Sequence, residues 1–202
     1  MPVLDFIKNH VLELPFWMSV VVLAGTAVVE FFRRAWLKKH ASRIFLYAVF
    51  VVGTYLIYVV FLQFQAFLSG PLGFIKSDGF LNFVTYTLGY ARLHYLNDYL
   101  ISFLAAILFA LIGGYFNKKY NERFFEKEEL YLLALGILLT GYPGFIFYIP
   151  LTLFASAIVS AIFVKHGERL PLYHFWVPTA LAVVFVIHFW ASNQVWWNSF
   201  RF

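Results

Sequence analysis

Glu122, Glu126, Glu128 and Glu129 fall in one short stretch, Glu122-Arg-Phe-Phe-Glu-Lys-Glu-Glu129, that leads directly into a long apolar run. Two carboxyl groups close enough to share a proton can activate a water, the chemistry of acid-pair hydrolysis. Glutamates at a helix start are also favoured by the helix dipole, which needs no second acid. His94 and Asp98 stand four residues apart, with Arg92 beside them, so a helix would put the imidazole and the carboxylate on one face. Such a pair serves catalysis or metal binding, and it can equally well do no more than cap a helix. No second His pair at helical spacing accompanies it, and the chain has no cysteine, so no metal site and no cofactor are expected. Glu30, with Arg33 and Arg34 three and four residues on, reads as a local ion pair. His188 reads as a packing residue, and Gln63 and Gln65 as groups that bond across helices or line a cavity.

The elements that must hold these groups are helices in lipid. Of 202 residues, 62% are apolar or aromatic and 12% are charged, against about 45–50% and about 25% in a soluble domain. Too few charges remain to cover a water-facing surface. A span needs about 20 mostly apolar residues, and six stretches approach this: 15–35, 44–68, 98–116, 130–147, 149–165 and 172–192. The turn between the fourth and fifth falls at Tyr142-Pro143-Gly144 or at Tyr148-Ile149-Pro150. Residues 79–95 are apolar but short and run into Arg92, His94 and Asp98, which suits a re-entrant or interfacial helix. The expected fold is all-α, a single integral membrane domain over 1–202: a polytopic bundle of about six spans plus that extra helix.

Loops after the first, third and fifth spans carry Arg33, Arg34, Lys38, Lys39, Arg43, Lys118, Lys119, Arg123, Lys127, Lys165 and Arg169. Lys8, Lys76, Arg92 and Arg201 fall on the other side. By the positive-inside rule the three basic loops are cytoplasmic and both termini lie outside a cell (inner) membrane. Residues 1–14 include Asp5, His10 and Glu13 and do not read as a cleavable signal, so the first span is expected to be kept. Phe16, Trp17, Trp196 and Trp197 read as interfacial anchors. Ala106, Ala110 and Gly114, and the pairs Ser156/Ser160 and Ala157/Ala161, mark faces for close helix packing. Pro178 is expected to bend the last span.

Residues 75–185 resemble the membrane domain of type IV prepilin peptidases, bilayer aspartyl proteases that trim pilin leaders. Ile75-Lys-Ser-Asp78-Gly-Phe-Leu-Asn is similar to that family's Ile-Pro-Asp/Asn-x-Leu-Thr step. Asn97-Asp98-Tyr-Leu-Ile-Ser with Gly113-Gly114-Tyr115 resembles its next span. Glu126-Lys-Glu-Glu129-Leu-Tyr-Leu-Leu-Ala-Leu-Gly136 falls where the family has Gly-x-Gly-Asp-x-Lys-Leu-Leu-Ala-x-x-Gly, and Gly167-Glu-Arg-Leu-Pro171-Leu-Tyr-His-Phe resembles its closing element. The departures fall on the chemistry. Glu129 stands in the place of the second catalytic Asp, Glu126 and Glu128 replace the glycines of its turn, and Ser69-Gly70-Pro71 has no acid where the first Asp would lie.

The resemblance implies a scaffold without proteolysis: a structural or accessory component of a membrane assembly, contacting the lipid bilayer and other membrane subunits or a pilin-like peptide. The alternative is an active aspartyl peptidase with displaced carboxylates, Glu129 with Asp78 or Asp98. A small transporter or channel subunit is the third reading, favoured if a polar cavity ran past Gln63, Gln65 and His188. The cations are spread over membrane-flanking loops, so nucleic acid is not an expected partner.

Overall fold

A computed structural model describes residues 13–69, 79–120, 125–163, 172–194 and 197. Among these every regular element is helical: α1 (Leu14–Phe32), α2 (Arg34–Ser69), α3 (Phe80–Ala91), α4 (Asn97–Lys119), α5 (Lys127–Thr140), α6 (Gly144–Phe163) and α7 (Tyr173–Phe189). A π turn, Arg92–Leu96, joins α3 to α4, so Phe80–Lys119 is one rod of 40 residues. The separate re-entrant helix expected at 79–95 is therefore the first part of a continuous helix. Apolar residues recur through the junction, and nothing in Tyr90-Ala-Arg-Leu-His-Tyr breaks a helix.

Five rods are long and apolar enough to cross a bilayer, which makes this a multi-pass membrane protein: Leu14–Phe32, Arg34–Leu68, Phe80–Lys119, Gly144–Ile162 and His174–Asn193. The sixth, α5, is different in kind. At 14 residues it reaches only about 21 Å, short of the roughly 30 Å of hydrocarbon. Leu132 to Thr140 are all buried, as in a helix that is apolar on every side because neighbours surround it. α4 and α7 pack on it most extensively, with α2 and α6 completing the cage.

Several boundaries move from their expected places. The basic stretch 34–43 is not a loop but the first turns of α2, set off from α1 by the single non-helical residue Arg33. Leu37 and Ala41, both buried, tie those turns to the core. The turn between the fourth and fifth stretches is at 141–143, where Gly141 adopts φ 67°, ψ 172°, a region open essentially to glycine alone. Pro150 sits inside α6 instead of ending a helix.

Small residues decide the closest approaches. A Cβ on Gly113 would lie 2.7 Å from a methyl of Leu130, and one on Gly114 3.7 Å from its other methyl, so the Ala106–Gly114 face meets α5. On α6 the buried face is Gly144, Tyr148, Thr152 and Ser156. Of the two expected pairs, Ser156/Ser160 continues this face, Ser156 buried and Ser160 half-buried, whereas Ala157 and Ala161 are exposed. Near the end of α5 the Ser19 hydroxyl of α1 donates to the Leu139 carbonyl at 2.9 Å. That carbonyl is among the last four of its helix, which have no partner within it. Ser19→Ala is expected to lower stability in detergent by about 0.5–1.5 kcal/mol, read from denaturant unfolding.

The rods alternate in direction, so the molecule has two chemically distinct ends. The described Lys and Arg residues other than Arg92 gather at one end, with Glu30, Asn117, Glu126 and His174. The other end holds the start of α1, the π turn and the ends of α5 and α7.

Candidate functional site

At the basic end the start of α5 is fastened from three directions. Glu126 is its N-cap, with extended backbone (φ −71°, ψ 153°), and its side chain accepts from the backbone N–H of Glu129. Reciprocally, Glu129 Oε2 accepts from the Glu126 N–H at 2.9 Å. This is a capping box with a carboxylate in the place of the usual Ser or Thr. Lys38 reaches across from α2, its Nζ ion-paired with Glu126 and, at 2.8 Å, with Glu128. Asn117 of α4 holds the incoming backbone: its Nδ2 donates to the Phe125 carbonyl at 2.6 Å and its Oδ1 accepts the Phe125 N–H at 3.0 Å. Glu129 is 2% exposed, with its side chain turned back onto its own helix start.

A hydrogen bond with Glu128, and then the Lys38 ammonium, hold the Glu126 carboxyl below the ordinary carboxylate range. A lowered folded-state value means that this stabilisation is present above the unfolded pKa and is lost as pH falls through the folded one. Stability of the wild type is therefore expected to decline from about pH 5 downward. Lys38→Met should flatten that decline. Because Lys38 and Glu126 are each nearly half exposed, its cost at neutral pH should stay under about 1 kcal/mol. Unfolding midpoints of both proteins across this pH range give the comparison.

Also at this end, Glu30 is buried and its Oε1 lies 3.1 Å from His174 Nδ1. Glu30 points inward to the bundle and bonds across helices, α1 to α7, while the charge of Arg34, four residues on, still acts on its carboxyl group as the local reading expects. No sequence spacing could have indicated a partner 144 residues away.

Asp98 is at the opposite end. It lines a cavity of about 500 Å³ together with Thr140 and Gly141, where α5 finishes. Glu129 lies eleven residues back along α5, about 16 Å below. The structure does not bring Asp98 to Glu129, and Asp78 lies outside the described residues. His94 does join Asp98, both lining the cavity, with the His94 ring 4.1 Å from that of Tyr90. His188 lines it too, stacked on Phe16 at 3.8 Å, so its expected packing role and a place at the cavity wall coincide. Neither Gln63 nor Gln65 does.

The anchors also divide. Trp17 is exposed, whereas Phe16 and Trp197 are buried and Trp196 lies outside the described residues. Phe189 and Trp190, not singled out as anchors by sequence, are exposed aromatics at the end of α7. Sequence reasoning also missed Tyr55, Tyr95, Tyr99 and Tyr142 in the cavity wall. The i, i+4 pair Tyr95/Tyr99, one residue on from His94/Asp98, is the signal that could have found two of them.

Among the described residues no cluster of three His, Asp or Glu side chains is placed to hold a metal ion. The sequence matches no protein-family model, no curated protein and no solved structure.

Proposed function

We propose that the chain is a non-proteolytic component of a membrane assembly, built on a prepilin-peptidase-like scaffold. The observation that carries this reading is the engagement of Glu129, the residue in the place of a catalytic Asp, as the reciprocal member of a capping box. Its neighbours Glu126 and Glu128 are clasped by Lys38, so the acidic cluster works as a fastener between α2 and α5. The basic end faces the cytoplasm, and because α5 carries the chain back through the bundle inside the cage of the other helices, both termini lie outside, in keeping with the gathering of cations around the α1–α2 and α4–α5 connections. Lipid and neighbouring subunits cover the apolar outer faces, including Phe61 and Leu68 on α2 and Phe80 and Leu81 on α3.

The test is a cleavage assay with a prepilin-type leader peptide in detergent or nanodiscs. Wild type and Glu129→Gln are both expected to leave the peptide intact. Cleavage by the wild type that Glu129→Gln abolishes overturns the proposal in favour of an active peptidase.

A further inference from the structure

The described acids of the basic end are all engaged within the molecule. Glu30 bonds to His174, Glu126 and Glu128 are held by Lys38, and Glu129 closes the capping box. Lys39 and Arg43 of α2 are exposed and make no ion pair with any described residue. At about 100° of turn per residue, they belong to one outward stripe of that helix: Trp36, Lys39 and Arg43, then Leu46, Tyr47 and Phe50, all exposed. Leu37, Ala41 and Ala48 occupy the opposite side and are buried. One turn apart, Lys39 and Arg43 are neighbours on the helix surface. The apolar part of the stripe begins three residues past Arg43, and Phe50 lies about 10 Å further along the axis.

From this stripe we propose that the outward face of α2 holds an anionic phospholipid, its phosphate at Lys39 and Arg43 and its acyl chains along Leu46, Tyr47 and Phe50. Trp36, its ring stacked on that of His40 at 4.3 Å, sets the first turns of α2 at the interfacial level where indoles concentrate. Long basic side chains there lay their stems on apolar surface and keep their charges among the headgroups. Each such cation raises affinity for anionic lipid about fivefold. A zwitterionic headgroup brings its own ammonium and gains little from either. An acidic protein segment could meet the two cations, but the same stripe continues without a break to the depth of the acyl chains, which a lipid alone follows. Lys38, one residue away, is turned to Glu126 and Glu128 and takes no part. The site stands apart from the acidic cluster and does not depend on whether the protein cleaves peptides.

The experiment titrates the full chain in dodecyl maltoside with phosphatidylglycerol and with phosphatidylcholine of the same acyl chains, and reads the affinity of the first lipid bound by native mass spectrometry. Phosphatidylglycerol is expected to bind at least about tenfold more tightly. Lys39→Gln/Arg43→Gln should bring the two lipids within about twofold of each other, and Arg43→Gln alone should cost about fivefold, a second variant should the double one fail to fold. Lys118→Gln/Lys119→Gln removes the same charge from α4, where both lysines are exposed, and should leave the preference in place. Raising salt from about 0.05 M to about 0.5 M should narrow it, since exposed charges are screened. Glycerol phosphate, the headgroup chemistry without chains, is expected to compete only at concentrations at least about a hundredfold above the lipid. These results together uphold the site. No preference for phosphatidylglycerol, a preference unchanged in both α2 variants, or equal loss in the α4 variant, which would mean attraction by overall charge, overturns it. Competition by glycerol phosphate as strong as by the lipid also overturns it, in favour of a site for free phosphate.

Discussion

Gly136→Ala is expected to destabilise the protein by about 3 kcal/mol, the upper part of the range for overpacking a well-filled core. A Cβ at this position would lie 2.2 Å from the Tyr148 hydroxyl, 2.3 Å from Cζ and 2.7 Å from Cε1. All three distances are shorter than any real carbon contact, and relief by movement is closed off. Tyr148 is fully buried, with its ring edge-on to the buried Trp176 at 6.1 Å. Gly136 itself lies in the unbroken buried run of α5, so the clash is between the central helix and α6. Tyr148→Leu removes the three clashing atoms, and alone it should cost about 2–4 kcal/mol in lost packing. Combined with Gly136→Ala the costs should not add, because the methyl then enters space the ring has vacated. A favourable coupling of at least about 1 kcal/mol in the double-mutant cycle is the signature. Denaturant titrations of the four proteins in one detergent measure it, and strict additivity would mean that Tyr148 rotates away from the added methyl.

The same helix shows how much of the fold is legible in one dimension. Its apolar run and the acids before it are plain in the sequence, and so is a break near Tyr142-Pro143-Gly144. Its true role is not, because a run read as a span by hydrophobicity alone looks the same whether lipid or other helices surround it. Only the packing around Leu132 to Thr140 distinguishes the two. Likewise, positive-inside counting placed Lys38 in a loop, where it would be an unpaired topology signal. Helical from Arg34 onward, α2 presents Lys38 to Glu126 and Glu128, an ion pair across 88 residues that no local pattern encodes. The cavity was half visible: the His94/Asp98 spacing was readable, whereas the contributions of Tyr55 and Tyr142 depend on where three separate rods end. Periodicity reports the face of an element, and the meeting of faces from distant elements is set by tertiary packing.

Replacing Glu129 separates a fastening role from a catalytic one through stability alone. Glu129→Ala is expected to cost about 2 kcal/mol, since it removes the acceptor of the Glu126 N–H and leaves a void beside a nearly inaccessible site. Glu129→Gln should stay within about 1 kcal/mol of wild type, because the amide oxygen still accepts and Gln is as regular a member of the capping box as Glu. The expected order is thus Glu close to Gln, both well above Ala. A reactive acid behaves in the opposite way. Buried carboxylates kept for chemistry strain their surroundings, and neutral replacement commonly stabilises the fold while abolishing activity. A clear gain on Glu129→Gln, of about 2 kcal/mol, would mark the carboxylate as held at a cost and so contradict the fastener. Near-equality of Glu and Gln with loss in Ala follows only if the acceptor geometry, and not the charge or its proton, is what the position requires.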